Sequence, residues 1–354
     1  MSAPLVQIRR GGFVESVHSG SIAVVDSGGR LIAFAGNPEL PAFLRSAAKP
    51  FQAIPLVEEG GVEEFELTTQ ELALICASHG GEPQHIATAA AILRKGDFDE
   101  SDLLCGAHPP LTEKAAAELR QSGEPPTPLH NNCSGKHAGM LLATRLLDVG
   151  STTYIAPEHP VQQRILETVG EFAGLGTDSI PFATDGCGVP TFRLSLYRAA
   201  LAYARLMASA SGDAPGALDR YVDPAREVVD AMTGSPEYVA GEWSITTPLM
   251  QAFGGDLLAK EGAEGYYAMA ISPEILDERF AGPDSPGLPV GVALKIDDGS
   301  MERGRNPAIL RILEILGIGV ETNPALESYR RRELFNAAGT RVGETCAEFD
   351  LIFL

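Results

Sequence analysis

A serine and a lysine stand three residues apart in the stretch RSAAKPFQ, at Ser46 and Lys49. If this stretch opens a helix, positions i and i+3 share one face, and the hydroxyl and the amine lie side by side. A serine hydroxyl becomes a nucleophile when a base removes its proton, and a lysine is such a base once burial or a second cation lowers its pKa. The pair therefore indicates serine-dependent acyl transfer, although S-x-x-K alone also occurs at ordinary solvated helix starts.

Two further residues could complete such a site. Ser78 lies in CASHGG, where we expect a helix to end, and Lys260 begins the sequence Lys-Glu-Gly just before the predicted strand GYYAMAIS. Serine acyl-transfer enzymes with S-x-x-K place a second serine and a K-x-G sequence in the same cleft. Taken singly, Ser78 and Lys260 could equally be structural or surface residues, because short motifs match by chance.

A second group of residues could bind a metal. Cys133, Lys136 and His137 lie within five residues of NNCSGKHAGM, and Cys187 follows in TDGCG. Two thiolates with one or two nitrogen donors are a plausible soft site for zinc, and we expect the glycines of the first stretch to let it fold tightly round the metal. The alternative is two buried thiols packed as small hydrophobic groups. Asp185 could bind a substrate ammonium or serve as a turn residue.

The elements that must position these residues change in type along the chain. Rough alternation in the first 40 residues predicts strands, with hairpin turns at Ser19-Gly20 and at Asp26–Gly29. Thr68 and Glu71 form a capping box before the apolar face of a helix, which Gly80-Gly81 should end. From there helical spacing predominates, including the stretch FRLSLYRAALAYARLMASA.

Strands return late in the chain, in GYYAMAIS, in GVALKIDDGSMERGR and in the final LIFL. Strands at both ends around a helical middle predict one sheet assembled from both termini with a helical insertion, which is an α+β layout rather than a doubly wound one. We expect a single unit over residues 1–354. Its sheet-bearing parts are placed at about 1–70 and 240–354, and its mainly helical part at 71–239.

The composition favours a globular protein over disordered, nucleic-acid-binding and membrane-spanning classes. The 354 residues are 44% hydrophobic and 21% charged, which is sufficient for a sizeable core and unlike a disordered chain. A net charge of −20 disfavours nucleic-acid and anionic-membrane binding, because both need clustered Lys and Arg. The first ten residues lack a secretory pattern and no apolar run reaches the ~18 residues of a membrane span, so we expect a cytoplasmic protein. Five cysteines are an odd number, which favours free or metal-bound thiols over a disulfide framework.

Four stretches taken together resemble one known family. They occur in the family's order and are RSAAKPFQ, CASHGGEPQH, NNCSGKHAGML and TDGCGVPTF. They are similar to the motifs of the L-asparaginase II family, the rhizobial-type class 3 asparaginases. The resemblance runs over nearly the whole chain, from GGFVESVHSGSIAVVD to GRNPAILRILEILG. It implies a fold of the serine β-lactamase and glutaminase kind, hydrolysis of L-asparagine to L-aspartate and ammonia, and a homodimer.

The resemblance also implies roles for individual residues. Ser46, as the nucleophile, and Lys49 match the family's first Ser–Lys pair, and Ser78 with Lys260 matches the second. One zinc ion per chain is implied, and its ligands match Cys133, Lys136 and Cys187. On the substrate side the matching residues are Asp185, His137 and Arg45.

Two other functions stay open from the residues alone. One is a glutaminase or a broader serine amidase, because a pocket discriminates weakly against one extra methylene. The other is a zinc-stabilised binding protein in which Ser46 takes no part in chemistry. L-asparagine is the expected small-molecule partner, with no nucleic acid and no membrane.

Overall fold

The computed structural model of the protein describes residues 1–277, 287–320, 323–330 and 332–354. Its strands are β1 (Ala3–Arg10), β2 (Phe13–Asp26), β3 (Leu31–Ala35), β4 (Pro41–Phe43), β5 (Phe182–Thr184), β6 (Pro190–Ser195), β7 (Leu257–Glu261), β8 (Tyr266–Ile271), β9 (Val290–Ile296), β10 (Glu333–Phe335), β11 (Arg341–Ala347) and β12 (Ile352–Phe353).

Its α-helices are α1 (Lys49–Glu58), α2 (Gly61–Glu64), α3 (Thr69–Ile75), α4 (Pro83–Lys95), α5 (Glu113–Ser122), α6 (Ser134–Leu146), α7 (Pro160–Ala173), α8 (Leu196–Ser211), α9 (Val222–Gly234), α10 (Pro236–Val239), α11 (Thr246–Phe253), α12 (Asn306–Ile315) and α13 (Pro324–Arg330). None of the helices in the described ranges is both long and apolar enough to cross a bilayer.

The chain forms two compact units. The first comprises Met1–Ala47, Leu194–Ala208 and Ala259–Leu354, and the second comprises Ala48–Arg193 and Ser209–Leu258.

The first unit is organised around a sheet with strand order β10-β11-β1-β2-β9-β8-β7. β2 pairs antiparallel with β1 and β9, and β1 pairs antiparallel with β11. β12 adds to the sheet through β3, which itself pairs with β2. Strands from both chain ends therefore alternate in one sheet, and the predicted α+β layout is confirmed.

The turn predicted at Ser19-Gly20 is wrong, because β2 runs straight through it. A Cβ atom on Gly20 would lie 2.3 Å from the Lys295 carbonyl oxygen, so this glycine permits close approach of β9 rather than a reversal of the chain. The hairpin between β1 and β2 turns instead at Gly11 and Gly12, which have φ of +57° and +85°. The turn predicted after Asp26 is confirmed by a bond from its N–H to the Arg30 carbonyl at 3.0 Å.

Helix α8 covers one face of this sheet at very short range. A Cβ atom on Gly291 would stand 1.8 Å from the Ala200 carbonyl oxygen, so only glycine lets β9 touch the backbone of α8. The helix begins at Leu196, later than its sequence pattern predicted, because Pro190–Ser195 forms strand β6. The β-branched and aromatic residues of that stretch suit a strand.

The second unit is mainly helical. The Phe172 ring on α7 lies 5.4 Å from Phe51 of α1 and 5.1 Å from Tyr221, so aromatic packing joins these segments. The predicted capping box at the start of α3 is confirmed, with both reciprocal bonds present. That helix ends at Ile75, before the expected glycine stop, and Pro83 starts α4.

The two glycines of the first turns of α6 face α3. A Cβ atom on Gly135 would lie 2.2 Å from the Leu74 carbonyl oxygen, and one on Gly139 would lie 2.6 Å from the Ile75 side chain. These glycines therefore serve close helix packing, and the expectation that they fold the chain round a metal is wrong. Cys133 is the residue before α6, and Lys136 and His137 lie in its first turn.

Candidate active site

The second unit contains a buried lysine–serine contact. Lys49, the first residue of α1, is 1% exposed and donates from Nζ to the Ser78 hydroxyl at 3.0 Å and to the Ala77 carbonyl. Ser78 is also buried, and its N–H donates to the Val239 carbonyl at 2.8 Å. The next residue, His79, donates its N–H to the Asn132 carbonyl at 3.2 Å. The backbone hydrogen bonds of Ser78 and His79 thus hold the Ser78 side chain against Lys49 Nζ.

Beside this contact lie two thiols and a second buried amine. Lys136 Nζ donates to Cys187 Sγ at 2.8 Å, and a side-chain hydrogen bond joins Cys187 to Cys133. Lys49 also hydrogen-bonds to Cys133. The amine that contacts Ser78 therefore contacts the thiol cluster as well. Cys187 reaches this position from the turn that follows β5, where Gly188 has φ of +93°.

The two thiols differ in proton affinity. The hydrogen bond from Cys187, aided by Lys49 and Lys136, holds the pKa of Cys133 well below its usual value although burial opposes this. The same bond and burial raise the pKa of Cys187. Burial alone would lower the pKa of Lys136, but the charges on Cys187 and Cys133 raise it. Cys133 therefore loses its proton more readily than Cys187 does.

This donor set fits a metal ion with three protein ligands. In the described part of the chain, no three His, Cys, Asp or Glu side chains group closely enough to hold a metal, so the two thiols need Lys136 as the third ligand. Two buried sulfur donors in mutual contact suit a soft ion such as zinc, and three ligands leave the fourth position open. Binding would release the remaining thiol and ammonium protons.

His137 lies next to the cluster as a neutral imidazole. Burial, followed by the charges on Lys136 and Lys49, holds the pKa of His137 well below its usual value. The Leu104 N–H donates to the Tyr154 hydroxyl at 2.9 Å, and that hydroxyl lies 2.7 Å from His137 Nδ1. In the tautomer in which Tyr154 donates to Nδ1, the ring proton lies on Nε2. Within the described residues Nε2 is buried with no hydrogen-bond partner, which leaves a donor for a ligand.

Asp185 stands at the rim of the same cluster. Its carboxylate accepts from the Gly186 N–H at 2.7 Å, and its N–H donates to the Val189 carbonyl at 2.8 Å, which closes the turn that carries Cys187. The side chain is partly exposed, and its negative charge contributes to the raised pKa of Lys136. Asp185 is therefore a turn residue, as one of the two sequence alternatives had it, and its charge lies near the cluster.

Ser46 and Arg45 lie in the first unit. Ser46 is half-buried in a 3-10 turn, Arg45–Ala48, that continues directly into α1. Arg45 has φ of +51°, a left-handed conformation that costs a residue with a side chain about 1–2 kcal/mol. The Tyr203 hydroxyl donates to the Ala47 carbonyl at 2.7 Å and ties this turn to α8. The strained Arg45 is therefore held by its surroundings, as is common at functional sites.

Lys260 lies on β7 in the first unit and is fully buried. Its Nζ donates to Glu261 Oε1 at 2.5 Å. Glu261 is the middle residue of the K-x-G motif, where any residue type is allowed, and so the motif did not identify it. Tyr154 was missed as well, because no motif links it to His137.

The structure thus brings most of the predicted residues together in the second unit. That cluster consists of Lys49, Ser78, Cys133, Lys136, His137, Asp185 and Cys187. The first unit holds Arg45, Ser46 and Lys260. The chain boundary between the units falls between Ala47 and Ala48.

Comparison with known proteins gives one family. The family described as L-asparaginase II matches residues 6–347 of the chain. None of the curated proteins matches it in sequence.

Solved structures are similar at low identity. The one described as "Crystal Structure Analysis of Mglu" is 15% identical with a TM-score of 0.45, over 86% of this chain and 68% of that chain. Mglu in its tris and glutamate form is 17% identical with a TM-score of 0.44, and the match covers 86% of this chain but only 60% of that one. Bacillus glutaminase in 4.3M NaCl is 14% identical with a TM-score of 0.39, over 85% and 92%. Likenesses this low carry no argument about activity.

Proposed function

Because the chain belongs to the L-asparaginase II family, an amidohydrolase family, we propose that it hydrolyses L-asparagine to L-aspartate and ammonia. The observation that supports this most is the buried contact of Lys49 with Ser78 beside the thiol cluster. It gathers the second serine, a lysine of the first Ser–Lys pair and the zinc ligands that the family implies. Assembly as a homodimer belongs to the proposal too, and rests on the family resemblance alone.

In the proposed reaction Lys49, as a neutral amine, takes the proton of Ser46. The Ser46 oxygen then forms a bond to the side-chain amide carbon, while backbone N–H groups stabilise the oxyanion. The C–N bond breaks, and ammonia leaves with a proton supplied by the Ser78–Lys260 pair. Water hydrolyses the resulting aspartyl ester and restores the Ser46 hydroxyl. The Ala77 carbonyl assists by fixing the direction of Lys49 Nζ.

The substrate's amino-acid end is assigned to the thiol side of the site. Cys133, Lys136 and Cys187 would hold one zinc ion. When bound, the ion supplies a fixed positive charge that favours the substrate carboxylate. Asp185 offers a negative charge to the substrate ammonium, and His137 offers its free Nε2 proton to an oxygen atom. This division of charges suits a zwitterion, which an overall negative protein does not otherwise attract.

Ammonia release from L-asparagine and from L-glutamine at equal concentration tests the function. We expect release from L-asparagine to exceed that from L-glutamine by roughly 10- to 200-fold in kcat/KM, the range that one methylene allows. A preference for L-glutamine would make the protein a glutaminase instead. No ammonia from either amide would contradict hydrolysis and leave the zinc-stabilised binding protein.

Arg45 offers a test that separates folding from substrate binding. Arg45→Gly should keep or raise the free energy of unfolding by about 1 kcal/mol, because glycine adopts φ of +51° without strain. The KM for L-asparagine should rise, because the guanidinium is assigned to the substrate. Urea denaturation and steady-state kinetics measure the two effects. Arg45→Lys is the matched control, since it keeps both charge and strain, and an unchanged KM in Arg45→Gly would remove Arg45 from the substrate site.

A further inference from the structure

Three charged side chains are buried together in the first unit. Lys260, Glu261 and Arg305 are 0%, 2% and 2% exposed. The Lys260 ammonium contacts the Glu261 carboxylate at 2.5 Å, and Glu261 lies close enough to Arg305 to stabilise its charge. Burying ions costs free energy because they lose their hydration, and clusters of buried charges are common at functional sites.

Arg305 is held in a fixed position. Its Nε and Nη2 atoms donate to Asn306 Oδ1 at 3.1 and 3.0 Å, and its guanidinium lies 5.3 Å from the centre of the Tyr267 ring. Burial lowers the pKa of Arg305, while the charge on Glu261 opposes the shift. Two cations thus face one carboxylate, and both favour the ionised form of Glu261.

An ionised carboxylate at this distance constrains what Lys260 can do. It favours the ammonium over the neutral amine, and the short hydrogen bond limits the directions in which Nζ can point. Lys260 is then a poor general base and a well-placed proton donor. Lys49 has different partners, because its Nζ hydrogen-bonds to the Ala77 carbonyl, the Ser78 hydroxyl and Cys133 rather than to a carboxylate.

We propose that Glu261 is a positioning residue that keeps Lys260 charged, so that Lys260 serves as the acid of the reaction. The inference rests on the proposed amide hydrolysis. As the C–N bond breaks, the Lys260 ammonium gives one proton to the departing nitrogen and becomes an amine. During ester hydrolysis Lys260 regains a proton from the attacking water, and the Lys49 ammonium returns its proton to the Ser46 oxygen, so the cycle is balanced. Arg305 supports this arrangement by keeping Glu261 ionised.

The pH dependence of kcat/KM for L-asparagine distinguishes this role from a purely structural one. With Lys260 as the acid, activity falls on the alkaline side as the ammonium loses its proton. Glu261→Gln removes the charge that favours the ammonium, so the alkaline limb should move to lower pH by about 1–3 units. The variant also loses the charged hydrogen bond that orients Nζ, so at neutral pH we expect kcat to fall by roughly 10²-fold through misplacement of the donor. Circular dichroism and thermal melts report whether the variant is folded.

Glu264→Gln is the matched control, because it makes the same change at an exposed residue of the same β7–β8 turn. Its profile should coincide with that of the wild type. Glu261→Asp carries the test if Glu261→Gln does not fold. Aspartate keeps the negative charge but places it farther from Lys260 Nζ. We therefore expect kcat to fall by about 10-fold and the alkaline limb to move to lower pH by less than in Glu261→Gln.

The outcomes separate this inference from the proposed function. A folded Glu261→Gln or Glu261→Asp variant with an unmoved alkaline limb and near-normal kcat would overturn the positioning role while leaving hydrolysis intact. No ammonia release by the wild-type protein would remove the proposed function and the positioning role with it. A shifted limb in the Glu261 variants together with an unchanged Glu264→Gln profile is the result that we expect.

Discussion

Ammonia release from L-asparagine should fall by roughly 10⁴-fold or more when Ser46 is replaced by alanine, because loss of the nucleophile removes the covalent route. Ser46 is only half-buried, and the Ala47 carbonyl keeps its bond from Tyr203 in the variant. We therefore expect the thermal midpoint to stay close to that of the wild type. A coupled assay for ammonia, run on both proteins under saturating substrate, measures the effect.

Ser122→Ala provides the matched control, since this exposed serine ends α5 and has no place in the proposed reaction. Its activity should equal that of the wild type. If Ser46→Ala retained full turnover, the nucleophile would have to be another group, and Ser78 would be the next to test. Trapping of an aspartyl ester on Ser46, seen as a mass increase of the intact protein, would support the covalent route directly.

The second large effect concerns metal content. Cys187→Ala should lower the zinc content from one ion per chain to nearly none, because it leaves one thiolate and one amine as ligands. It also removes the partner that hydrogen-bonds Cys133 and Lys136. The KM for L-asparagine should rise together with the loss of metal. Elemental analysis of protein dialysed against metal-free buffer gives the stoichiometry.

Cys346→Ala tests whether the loss of zinc is specific to the thiols of the cluster. This cysteine lies on β11 in the first unit, whereas the residues of the cluster belong to the second unit. It should retain one zinc ion per chain. Wild-type protein that never takes up zinc would contradict the metal site and favour the other reading, in which Cys133 and Cys187 are packed thiols.

Local signals accounted for the parts of the fold that were predicted correctly. The capping box of Thr68 and Glu71 involves residues three apart, so its bonds follow from the sequence once a helix forms. Gly20 was misassigned because its role depends on Lys295, which lies on β9, the sheet neighbour of β2 but seven strands later along the chain. Gly135 was misassigned for the same reason, since the atom that excludes a side chain belongs to Leu74 of another helix.

The sequence identified those site residues that belong to short motifs, but not those that only the fold brings into contact. Lys136 and Cys187 were identified from motif spacing, and they are indeed in contact. Tyr154 was not, because the fold alone brings its hydroxyl to His137. Glu261 was visible in the sequence, but a glutamate next to a lysine is ordinary on a surface. Only its burial together with Arg305 distinguishes it from a surface glutamate, and burial is a property of the folded chain.

The sheet that draws on both chain ends has a consequence during synthesis. Strand β2 buries its second half against β9, which the ribosome makes much later. At ~5–20 residues per second, the delay between the two strands is on the order of 10–50 s. During that time an apolar strand, SIAVVD, has an open edge that can pair with other chains. The nascent protein is therefore most prone to aggregation before β9 emerges from the ribosome.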